Sequence, residues 1–98
     1  MAPHAELVLE YPVNKYCLAV PGVEYVVYLR WGGTFKLDLK TTSENDNFEY
    51  SWFDPATGKS LSSKTINGGT EVFFSAPGGY PGNVNFHDWV LHVKKIEP

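Results

Sequence analysis

The chain has 98 residues, with 8 basic side chains against 11 acidic ones and a formal net charge of −3. That length suits one domain and excludes a complete (β/α)₈ barrel, which needs about 250 residues. The longest basic run is Lys94-Lys95, which argues against a nucleic-acid partner, and no apolar stretch approaches the roughly 20 residues of a membrane-spanning helix.

Cys17 is the single cysteine, so an internal disulfide and a cysteine-based zinc site are both excluded. The opening Met1-Ala2-Pro3-His4 lacks the basic-then-apolar order of a secretion signal. Val, Ile, Thr, Phe, Tyr and Trp make up a third of the chain, and nine Gly and seven Pro punctuate them. These are the residue types of pleated, half-buried surfaces. No sustained helical stripe occurs.

In chain order, Leu7-Val8-Leu9 and Tyr16 to Val20 read as strands, with Pro12 confining any strand near it to an edge or a break. Tyr25 to Arg30 is apolar on both faces, which predicts a strand that is central in its sheet or covered by another domain. Trp31-Gly32-Gly33 predicts a tight hairpin into Thr34 to Lys40, where Phe35, Leu37 and Leu39 alternate with Lys36, Asp38 and Lys40. Ser43-Glu44-Asn45-Asp46-Asn47 reads as a polar hairpin loop. Phe48 to Asp54 places Phe48, Tyr50 and Trp52 on one face, and Asp54-Pro55-Ala56-Thr57-Gly58 is a turn with a capping Asp, a φ-setting Pro and a closing Gly. A more polar strand from about Ser60 to Thr65 is reversed by Asn67-Gly68-Gly69 into Thr70 to Ser75. After a long Gly/Pro/Asn-rich loop from Ala76 to Asp88, Trp89 to Lys94 is the last strand. Six to eight short strands predict a compact antiparallel β-sandwich over 1–98, least defined over 1–15.

The chemistry-bearing residues give no catalytic pattern. The acids fall on outward strand faces or in turns, as solvated groups do, and no Gly-x-Ser-x-Gly nucleophile elbow accompanies His87-Asp88. His87 and Asp88 are expected to close the long loop through backbone groups. Ser43–Asn47 lacks the spacing of an EF-hand, His4 and His92 have no metal-ligand partner, and no cofactor or metal is expected. Cys17 reads as a small core filler. The aromatics have more reach, because exposed rings beside polar groups can bind glycan. Trp31, Tyr80 and Phe86 are the candidate ligand-binding residues, whereas Trp52 and Trp89 are expected in the core. The same rings could instead cover the sandwich ends or pack on a neighbouring domain.

Three segments taken together carry a family resemblance: Glu24 to Leu29, Tyr50-Ser51-Trp52-Phe53-Asp54-Pro55-Ala56-Thr57-Gly58, and His87-Asp88-Trp89-Val90-Leu91. In that order they resemble the small C-terminal β-sandwich domain of apiosidase-like glycoside hydrolases, catalogued as "putative collagen-binding domain of a collagenase". Tyr16 to Ala19 followed by Pro21-Gly22 is similar to the family's entry strand and turn. The resemblance implies a non-catalytic accessory module whose partner is a glycoside-hydrolase catalytic domain in the parent protein, and an extracellular or periplasmic location. A carbohydrate-binding module that takes a polysaccharide on its loop aromatics is the alternative, and collagen or another protein ligand a further one. Two departures from the family pattern stand out: the long stretch from Pro77 to Phe86 and the bulky Trp31 in a turn.

Overall fold

The computed structural model describes residues 1–77 and 87–96 and is a two-sheet β-sandwich. Its strands are β1 (Ala2–Pro3), β2 (Val8–Leu9), β3 (Lys15–Val20), β4 (Glu24–Leu29), β5 (Thr34–Asp38), β6 (Asn47–Asp54), β7 (Lys59–Ser60), β8 (Lys64–Asn67), β9 (Glu71–Ser75) and β10 (Trp89–Lys95). A single 3₁₀ turn, Ala5–Leu7, precedes β2. The larger sheet runs β1-β3-β4-β10-β6-β7, with β8 also on β6, and the smaller runs β2-β5-β9. Every pairing is antiparallel.

Period-two alternation sets the core. Cys17 and Ala19 from β3, Tyr25, Val27 and Leu29 from β4, Phe48 and Trp52 from β6 and Leu91 and Val93 from β10 point inward from the larger sheet. Phe35, Leu37 and Phe74 meet them from the smaller one. Phe74 ties the layers together, stacking on Phe35 at 5.7 Å and taking Tyr50 and Trp52 edge-on at 5.0 and 6.4 Å. Such edge-to-face pairs add to plain area burial. Trp52 and Trp89 are both buried, as the alternation predicts.

The expected hairpin at 31–33 is not one. Both edges of β4 are already taken, by β3 and β10, so β5 has no edge there to pair with and joins the other sheet. Trp31, Gly32 and Gly33 have φ of 67°, 69° and 98°, three consecutive left-handed residues that carry the chain across the sandwich. At Gly32 the left-handed backbone rather than space calls for glycine, since a Cβ there would make only ordinary contact with the His87 carbonyl oxygen, at 3.4 Å. The polar loop 43–47 is likewise a crossover between sheets rather than a hairpin. The expected polar strand after Gly58 is split in two, because β7 and β8 pair with different stretches of β6 and leave residues 61–63 outside either strand.

Cys17 fills the core as expected, and burial, helped by the charge of Glu6, pushes its thiol from 9.0 up to about 11. A folded-state pKa above the unfolded one means that this contribution to stability is complete below about pH 9 and is lost as pH rises through about 11. The Tyr25 phenol, raised chiefly by burial, acts in the same direction. Urea midpoints measured from pH 8 upward should therefore fall, and Cys17→Ala should flatten part of that slope. A thiol reagent should leave native Cys17 unmodified at neutral pH.

Candidate functional site

The outer face of the larger sheet carries more apolar surface than a solvated face needs. Strand register lines up Tyr16, Tyr28, Val90 and Phe53 as one row across β3, β4, β10 and β6. The next row is Pro3, Leu18, Val26, His92 and Ser51. Tyr16 is 60% exposed and Leu18 45%, with Tyr28 also exposed and Val26, Val90 and Phe53 half-buried by their neighbours. The third row, Val20, Glu24, Lys94 and Glu49, is mostly charged. The face thus grades from apolar to polar along the strands, and His92 Nε2 lies 2.6 Å from Glu24 Oε2 at the boundary. That contact holds the Glu24 carboxyl below its usual range.

At the apolar end, Asp88 organises the approach to the last strand. Its carboxylate accepts the Tyr28 hydroxyl, and its Oδ1 accepts the backbone N–H of Trp31 at 2.9 Å. These two bonds, the Tyr28 one first, lower the Asp88 pKa. The second holds a bulky residue in the left-handed region, where only a fixed partner makes such a backbone persist. Trp31 itself is 52% exposed, with the Arg30 guanidinium 5.9 Å from its ring centroid. Asp88 therefore meets the expectation that it binds backbone.

His87 behaves differently from expectation. Its ring stacks on Trp89 at 4.9 Å, and its Nε2 lies 3.0 Å from Asp54 Oδ1, near enough for an ion pair yet poorly aligned for a hydrogen bond. Asp54 is buried rather than solvated, a correction to its reading as an ordinary turn acid. Its capping role holds, since Oδ1 accepts the Ala56 N–H at 2.8 Å and its carbonyl accepts the Gly58 N–H at 2.8 Å. The three segments of the resemblance are thus the adjacent strands β4, β10 and β6, joined at one end by Tyr28–Asp88 and by Asp54–His87.

A shallow hollow of about 270 Å³ between these residues is lined by Tyr28, Pro55, Ala56, His87 and Asp88. It offers an imidazole and a carboxylate but no serine, threonine or cysteine to activate. Among the described residues, no group of three or more His, Cys, Asp or Glu side chains could hold a metal ion. In the 43–47 loop the Asp46 carboxylate is engaged by the Ser43 N–H and by Lys95. No helix among the described residues is long and apolar enough to cross a membrane.

Of the three predicted ligand-binding residues, the structure shows Trp31 exposed, while Tyr80 and Phe86 lie outside the described residues. The outer apolar face was only half signalled in sequence. The two-faced strand at 25–30 pointed to it, whereas the apolar outward set Tyr16, Leu18 and Val20 in β3 went unread.

The family model described as "Putative collagen-binding domain of a collagenase" matches residues 3–94. The chain belongs to this family. Among solved structures, a chain titled "Glycoside hydrolase" superposes with a TM-score of 0.73 at 17% identity, over 94% of the present chain and 20% of that one. At that identity the likeness is one of fold. The family domain described here spans about a fifth of the hydrolase chain it resembles. No curated protein sequence matches it.

Proposed function

We propose that the chain is a non-catalytic accessory module that packs its larger sheet's outer face against a glycoside-hydrolase catalytic domain of the same polypeptide. The row Tyr16–Tyr28–Val90–Phe53 carries this reading. Apolar rows on a sheet face normally meet a second layer, and the core already occupies the opposite face. The choice of occupant rests on the hydrolase chain of like fold, in which a domain of this kind is one part among several times its length. Burying aromatic and aliphatic side chains is what such an interface needs at its centre.

The longer polypeptide and the isolated chain should differ in hydroxyl-radical footprinting. Tyr16, Leu18 and Tyr28 should be oxidised in the isolated chain and protected in the longer protein. Leu18→Lys with Val26→Lys should abolish that protection, weakening the docking by about 2 kcal/mol or more. The isolated chain should stay folded. Equal oxidation of these side chains in both proteins, or a natural polypeptide with no further domain, would sink the reading.

A second reading is favoured by the exposure of Trp31. In it the module binds glycan through loop aromatics, with Trp31, Tyr80 and Phe86 as the contact residues. For collagen the support is the family's descriptive name alone.

A further inference from the structure

The gap between β7 and β8 opens a cleft on a different side of the sandwich from the docking face. Its volume is about 490 Å³, within the roughly 300–1,000 Å³ of small-ligand sites. Tyr50 and Trp52, two of the inward residues of β6, line it together with Leu61 and Ser62 from the gap, Lys64 from β8 and Ser75 from β9. The alternation that assigned Trp52 to the core is correct, but the ring also borders this opening.

Two features single the cleft out. First, the Tyr50 and Trp52 rings both border the opening, so aromatic surface lines it from within the sandwich. Such rings pair an apolar body with a polar tip, which suits a ligand that is part apolar and part hydroxylated. Second, Ser62, Lys64 and Ser75 are exposed at the rim, so hydroxyl and ammonium groups surround the aromatic rings. The one cation among them stands in a chain of net charge −3.

We infer that this cleft is a binding site for a short oligosaccharide. Sugar rings present C–H faces edged with hydroxyls, which match aromatic and aliphatic walls rimmed with hydroxyl, phenol, indole and ammonium groups. Lys64 would receive a ring hydroxyl or a uronate carboxylate. An extended peptide finds less there, because the Leu61 N–H that faces β6 at the gap already donates to the Trp52 carbonyl at 2.8 Å. A module docked through the outer face of its larger sheet would keep this cleft open to substrate.

The test is an NMR titration of the labelled chain with cellohexaose, xylohexaose, mannohexaose and oligogalacturonate, and with a collagen-like Pro-Pro-Gly peptide. At least one oligosaccharide should shift the Trp52 indole signal saturably while those of Trp31 and Trp89 stay still. Leu61→Asp and Lys64→Ser, both at exposed positions, should keep the amide spectrum of the folded chain and weaken that binding about tenfold and a few-fold respectively. Tyr16→Ser, on the docking face, should leave it unchanged. The inference fails if no oligosaccharide moves Trp52 at millimolar concentration, if Trp31 responds instead, if only the peptide binds, or if Leu61→Asp has no effect. None of these results bears on the docking face, which has its own footprinting test.

Discussion

Phe48→Ala should lower the stability of the domain by about 4 kcal/mol, the cost of emptying a fully buried phenylalanine site. The side chain has no solvent exposure, packs edge-on against Tyr25 with centroids 6.2 Å apart, and reaches Gly68 at the sandwich end. Domains of this size are stable by only about 5–15 kcal/mol, so the variant would stand near its unfolding threshold at room temperature. Phe73→Ala provides the contrast. Phe73 is 58% exposed on the outside of the smaller sheet, and its loss should cost less than about 0.5 kcal/mol. Urea denaturation of the two variants measures both, and comparable losses would show that the inward and outward faces of the sandwich are wrongly assigned.

Gly68→Ala should be nearly as damaging, by about 3 kcal/mol, for a reason that has nothing to do with hydrophobicity. A Cβ at this position would lie 2.2 Å from Thr42 Oγ1 and 2.9 Å from both Phe48 Cε2 and the Ser43 carbonyl oxygen. Thr42 cannot simply turn away. Its hydroxyl donates to the Leu39 carbonyl at 2.7 Å and accepts the Gly69 N–H at 2.8 Å, so moving it breaks the link between the two loops. Gly58→Ala is the control. Gly58 has φ +76° but nothing within 4 Å of a built Cβ, so only the left-handed backbone cost of about 1 kcal/mol applies. Equal effects at the two glycines in thermal or urea unfolding would remove the steric account of Gly68.

The fold class was legible because burial on one face of a strand writes itself into alternate residues. Phe35, Leu37 and Leu39 against Lys36, Asp38 and Lys40 declare a strand and its inward side without knowledge of any partner. The turn at Asp54–Gly58 was equally local, since the capping bonds run within four residues. The family segments, too, are local strings whose order and spacing carried the resemblance that the match over residues 3–94 upholds.

The candidate surfaces were less legible. A residue string such as Tyr16-Cys17-Leu18-Ala19-Val20 shows apolar side chains on both faces but does not say which face another layer covers. That depends on β3, β4, β10 and β6 lying side by side, which places Tyr16, Tyr28, Val90 and Phe53 in one row although they come from distant parts of the chain. The cleft depends on an interruption between β7 and β8, and so on how β6 shares its edge.

By itself, then, the sequence determined the all-β class, the inward sets of β5, β6 and β10 and the capped turn after β6. These rest on interactions between residues a few positions apart. Only the tertiary structure decided that residues 31–33 cross between sheets, that Asp54 is buried beside His87, and that Trp52 both fills the core and borders an open cleft. Each of those follows from which strand takes which edge, a competition among distant segments that no local pattern of side chains records.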